Sequence, residues 1–208
     1  MINILLSTYD FNNRYCFSKI KEYLKPNMKV CIVPFSHHYT YYIKKELFDE
    51  LYNFDNGKDF NIIANSFKDY GIFKENIYVL NPHKDSIRFM KYKIKQSDIL
   101  FFTGGDPILY MTRLKSLGLF NTLKDFKGIT IGASAGAMIQ LKEFFTYDMP
   151  WERYPYSYHQ GLGYIEGLDV IVHYNPNCQW QNIAKHYNRV ERRIPYLNLY
   201  DGRCLIFK

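Results

Sequence analysis

Short apolar, β-branched runs alternate along this chain with segments whose apolar positions recur at helical spacing. Residues 2–7 and 29–35 read as buried strands. Between them, residues 14–24 carry Tyr15, Ile20 and Leu24 on one helical face. Residues 39–51 form a second helix, with Ile43, Leu47 and Leu51 each four apart. Residues 77–80 and 99–102 are short strands flanking a basic helix. Pro107 occupies a first helical position, so a helix over 108–117 starts cleanly and Gly118 ends it. Residues 129–131 are a strand and 135–143 its helix; 170–173 are a further strand. Residues 179–193 read as a long amphipathic helix. Residues 196–199 and 204–207 read as a terminal hairpin around Asp201-Gly202. Such alternation predicts an α/β fold: one domain over residues 1–208, a three-layer sandwich whose mostly parallel sheet is covered by helices on both faces. Functional groups then gather at the carboxyl ends of the strands. Residues 146–163, rich in Tyr and Pro, read as a loop of a length that is often functional.

Composition narrows this picture. The chain has 208 residues, 47% of them hydrophobic, enough for a sizeable core. No apolar run is long enough to cross a bilayer. The amino-terminal run lacks a basic flank and a small-residue cleavage site, so it reads as a first strand and the protein as cytoplasmic. The net charge is +7. Its lysines are interspersed with acids, as in Lys44-Lys45-Glu46, and show no basic recognition motif, which argues against nucleic acid and membrane partners. Cys16, Cys31, Cys178 and Cys204 form no CxxC pair, against a zinc site or a disulfide framework. The histidines show no metal-ligand spacing.

The most informative segment is Gly132-Ala133-Ser134-Ala135-Gly136. A serine on a sharp strand-to-helix turn projects its Oγ outward, and the crowded backbone around it admits only small neighbours. The amide after the serine lies at a helix N-terminus, where it can face a developing oxyanion. Thr103-Gly104-Gly105-Asp106-Pro107 follows another buried strand; its glycines let backbone amides approach a ligand, as the second half of an oxyanion hole, while Asp106 caps the next helix. His173 ends an apolar strand and is the candidate general base. Asp148 supplies a carboxylate between serine and histidine. Asp169 and Asp201 are the alternatives, although turn chemistry accounts for Asp201 and Asp169 is near His173 only in sequence.

The set Gly104-Gly105-Asp106, Gly132-Ala133-Ser134-Ala135-Gly136-Ala137, Tyr147-Asp148-Met149-Pro150 and His173-Tyr174 resembles peptidase family S51, which contains the aspartyl dipeptidases (peptidase E) and, more distantly, cyanophycinase. The likeness spans nearly the whole chain. It implies a class I glutamine amidotransferase-like, flavodoxin-like fold with serine in place of the amidotransferase cysteine. It implies a Ser–His–Asp hydrolase without metal or cofactor, a monomer or homodimer acting on small peptides, including those with N-terminal Asp. Carried onto this chain, Ser134 is nucleophile, His173 base and Asp148 the acid, with the Gly105 and Ala135 amides as oxyanion hole. The family usually has Asn after the paired glycines; Asp106 places a negative charge there, unfavourable to an acidic P1 side chain. Two other functions fit parts of the pattern: an α/β-hydrolase-type esterase, which shares the elbow but spaces its triad more widely, and a non-catalytic binding protein on the same scaffold.

Overall fold

A computed structural model describes residues 1–147, 156–179, 181–182, 185 and 194–208. Its strands are β1 (Ile2–Leu6), β2 (Val30–Val33), β3 (Ile77–Val79), β4 (Ile99–Phe102), β5 (Ile129–Ala133), β6 (Glu143–Tyr147), β7 (Tyr156–Gln160), β8 (Asp169–Ile171), β9 (Tyr196–Asn198) and β10 (Cys204–Phe207). Its α-helices are α1 (Arg14–Ile20), α2 (Tyr39–Ile43), α3 (Lys45–Tyr52), α4 (Lys58–Lys68), α5 (Ile87–Lys95), α6 (Pro107–Ser116), α7 (Phe120–Lys124) and α8 (Ala135–Met138). The central sheet has six strands in the order β10-β1-β5-β4-β2-β3. All its pairs are parallel except β1 with β10.

Strand residues alternate between two cores, as the period-2 geometry of a strand covered on both faces requires. Val30, Ile32, Ile99 and Phe101 face a core that contains Phe48 of α3 and Phe60, Ile63 and Phe67 of α4. Cys31, Val33, Leu100 and Phe102 face the other, with Met90 and Ile94 of α5, Tyr110 and Leu114 of α6 and Ala137 of α8. This is the three-layer α/β arrangement expected from the alternation of elements. Asp106 caps α6 by accepting from the Ile108 and Leu109 amides at 2.8 and 2.9 Å. Gly118, at φ 62°, closes that helix in the left-handed conformation that glycine adopts without strain.

Four expectations are corrected. The helix over 39–51 is two helices, broken at Lys44, whose backbone is extended. The break lets Phe48 and Tyr52 reach the core while α2 buries no side chain. Helix α4, which the sequence reading left unassigned, carries Phe60, Ile63, Ala64 and Phe67 on its buried face. The helix over 135–143 stops after one turn, because Gln140 turns its side chain into the core and the chain continues into β6, which pairs with β7 inside the supposed loop. The terminal hairpin does not form: β9 pairs with β8 in parallel, whereas β10 joins the central sheet beside β1. The long helix over 179–193 lies largely outside the described residues. Among the described residues no helix is long and apolar enough to cross a membrane.

Candidate active site

The carboxyl ends of β1, β5 and β4 are neighbours in the sheet, so the loops leaving them meet. Ser134 leaves β5 at φ 52°, ψ −114°, a conformation that side chains rarely adopt and that clusters at functional sites. Its amide donates to the Leu6 carbonyl at 2.9 Å, and its carbonyl accepts from Ala137 and Met138, opening α8. The flanking glycines are obligatory. A Cβ on Gly132 would lie 2.1 Å from the Gly136 carbonyl oxygen, and one on Gly136 would lie 2.2 Å from that of Phe102. Below the turn, the buried Gln140 amide donates to the Gly136 carbonyl at 3.1 Å, and its carbonyl accepts from Thr130 at 2.6 Å.

His173 follows β8 in a turn at φ 51°. Its amide donates to Ser7 Oγ at 3.0 Å, and Ser7 in turn donates to the Leu199 carbonyl at 2.8 Å. The Gln181 amide clamps the His173 carbonyl at 3.0 Å. Nδ1 of His173 meets Asp201 Oδ1 at 2.7 Å. With the Nδ1 proton directed at this carboxylate, Nε2 is left as the proton acceptor. Ser134 and His173 both line a cavity of about 550 Å³ with Ser7, Tyr9, Asp10 and Gly105. Both also line a smaller one of about 240 Å³, walled by Met138, Phe145 and Val172. No hydrogen bond joins the Ser134 hydroxyl to the imidazole among the described residues; such contacts commonly tighten only once substrate is bound.

The loop after β4 completes the cluster. Gly104 lies against Ser134, its Cβ position 3.3 Å from that of the serine. Its amide donates to the Tyr9 hydroxyl at 2.8 Å. Gly105 has φ 146°, and a Cβ there would meet the Ser36 carbonyl oxygen at 2.5 Å, so only glycine fits. The amides of Gly105 and Ala135 have no hydrogen-bond partner among the described residues; Gly105 lines the larger cavity, and Ala135 directly follows Ser134. Burial pushes the Tyr9 phenol far above its usual range, which keeps this hydroxyl neutral.

The structure therefore brings together Ser134, His173, Gly104, Gly105 and Ala135. Asp148 lies outside the described residues. Asp201, which turn chemistry alone seemed sufficient to explain, meets His173, because the turn it occupies links strands of two different sheets. Asp169 is buried on β8. The Asp106 carboxylate is engaged at its helix N-terminus. Sequence reasoning passed over Ser7, Asp10 and Ser36. All three follow strands of the parallel sheet at their carboxyl ends, the place where the topology would have directed the search.

Comparison with known proteins bears on the fold and the family. No curated protein matches the chain by sequence. Among solved structures, a candidate peptidase E protein from Listeria monocytogenes EGD-e superposes with a TM-score of 0.64 at 14% identity, covering 99% of this chain and 93% of its own. A peptidase from an acI-B1 Actinobacterium gives a TM-score of 0.68 at 18% identity, covering 100% of this chain and 83% of its own. These likenesses show a shared fold. The sequence profile of peptidase family S51 matches residues 4–208, nearly end to end, and the chain belongs to that family.

Proposed function

We propose that this protein is a serine exopeptidase that hydrolyses dipeptides or short peptides through an acyl-enzyme on Ser134. The observation that carries this reading is the strained serine sharing a cavity with the His173–Asp201 pair. Ser134 Oγ attacks the scissile carbonyl carbon while His173 Nε2 takes its proton. The Gly105 and Ala135 amides face the resulting oxyanion, a contribution of about 3 kcal/mol for one such donor. Collapse of the tetrahedral intermediate expels the amine, which takes the proton from His173. Water then attacks the ester carbon as it gives its proton to the same nitrogen, and His173 returns that proton to Ser134 Oγ as the Oγ–C bond breaks and the acid leaves. Asp201 orients the imidazole and offsets its transient charge.

Two further features support an exopeptidase. Asp10, on the larger cavity, offers a carboxylate to a free α-ammonium. The smaller recess beyond Ser134 is walled mainly by apolar side chains and suits an apolar leaving residue. Cleavage after N-terminal Asp has the family behind it, but Asp10 opposes an acidic side chain in the larger cavity, so non-acidic acyl residues are the preferred ones in this reading.

The test is a fluorophosphonate probe with the modified residue mapped by mass spectrometry, in wild type and His173→Ala. Labelling at Ser134 that collapses in the histidine variant supports an activated serine; an unlabelled, folded protein sinks the proposal. A dipeptide panel follows. Asp10→Asn is expected to raise KM roughly tenfold or more for dipeptides with a free amino terminus, as a charged hydrogen bond is worth about 1.5–3 kcal/mol, and to leave amino-acetylated analogues unaffected.

A further inference from the structure

Resting on that reading, we infer that Ser36 is a positioning residue that sets the oxyanion hole by tethering the Gly104–Gly105 peptide. Ser36 is fully buried behind this peptide, three residues past the end of β2. Its hydroxyl donates to the Gly104 carbonyl at 2.6 Å, and its own carbonyl accepts the Asp106 amide at 2.8 Å. In a trans peptide the C=O and N–H point in opposite directions. A Gly104 carbonyl fixed towards Ser36 therefore turns the Gly105 N–H away from it, to the side where Gly104 abuts Ser134.

Proton arithmetic gives the tether a direction. A carbonyl only accepts, so the single Ser36 proton goes to Gly104. The contact of 2.7 Å between the Ser36 and Thr103 hydroxyls then requires Thr103 to be the donor. The Val33 carbonyl, at 3.4 Å, is a longer second acceptor for the Thr103 proton. The oxyanion amide is thus aimed from behind by Ser36, whose hydroxyl is itself held by the Thr103 hydroxyl. Without it, the Gly104–Gly105 peptide is held only through its flanks, by Tyr9 on the Gly104 amide and the Ser36 carbonyl on the Asp106 amide, and two glycines offer little resistance to a change of φ or ψ between them.

The experiment compares Ser36→Ala and Ser36→Cys with wild type. In Ser36→Ala, kcat is expected to fall on the order of 10²-fold with KM within about threefold, the signature of an interaction made only in the transition state. Affinity for a dipeptide aldehyde, whose hemiacetal oxygen occupies the oxyanion position, should fall in parallel. Ser36→Cys, similar in size and a weaker donor, should lie between. A crystal structure of Ser36→Ala should show the Gly104 carbonyl released from its present direction. An unmoved peptide with unchanged kcat overturns the inference, as does a loss borne by KM alone. If wild type shows no Ser134-dependent turnover, the peptidase reading fails, and the direction of the Gly104 carbonyl in Ser36→Ala still decides the tether.

Discussion

Two aspartates near Ser134 have very different surroundings, and the difference is testable one residue at a time. Asp201 meets His173 Nδ1 at 2.7 Å. Asp201→Asn is expected to lower kcat by on the order of 10²–10⁴, since an orienting carboxylate selects the tautomer that can accept a proton; steady-state kinetics beside Asp148→Asn will show which carboxylate the imidazole depends on. Asp106 is the contrast. Its carboxylate is spent on the Ile108 and Leu109 amides, and asparagine caps a helix as well as aspartate does. Asp106→Asn should therefore leave both kcat and the melting temperature essentially unchanged, and a large loss of activity would mean that its charge reaches the substrate. The Ser134 turn and the glycine loop were legible in the sequence because their backbone demands are local: a Cβ at 132, 105 or 136 collides with main chain. The partner of His173 was not legible, because it depends on where a distant turn comes to rest.

At the scale of elements, the elbow depends on support it does not contain. Helix α8 has a single turn, too short to be stable by itself, and it is held from below by Gln140, Thr130 and Asn3 in a buried network. Gln140→Ala leaves the Gly136 carbonyl without its buried donor, while Thr130 keeps its bond to Asn3 Oδ1, and should destabilise the protein by about 1–3 kcal/mol in urea unfolding. Activity should fall with it, since the Ala135 amide opens this helix. The same network explains a failed expectation. Ala135 to Leu141 has good helix propensity, but Gln140 turns inward to bond the Thr130 hydroxyl and the Gly136 carbonyl, and this tertiary demand ends the helix. Lys44 likewise breaks a helix whose spacing looked continuous, because Phe48 and Tyr52 must point inward. By contrast, the strands of the parallel sheet were readable from composition alone, since burial on both faces writes itself as an unbroken apolar run.

For the molecule as a whole, the two cores contain many groups that ionise only at high pH. Burial pushes the Cys31 thiol from its ordinary 9.0 up to about 12, and the Tyr52 and Tyr110 phenols well above their usual range. Raised values mean that the folded state holds these protons more tightly than the unfolded chain. The stability tied to Cys31 is therefore fully present below 9.0 and is lost as pH rises towards about 12. Urea midpoints across this window should decline steadily, and the tyrosinate absorbance of the folded protein should be the same in Tyr110→Phe as in wild type; a lower absorbance in the folded variant would contradict this. One further consequence belongs to the last strand. β10 shields the edge of β1 and also anchors the turn that presents Asp201. Proteolytic trimming of residues 203–208 would bare an adhesive strand edge and cut loose the histidine's carboxylate in the same event. Self-association and loss of peptide cleavage should then arrive together, through damage to a segment that never touches the substrate.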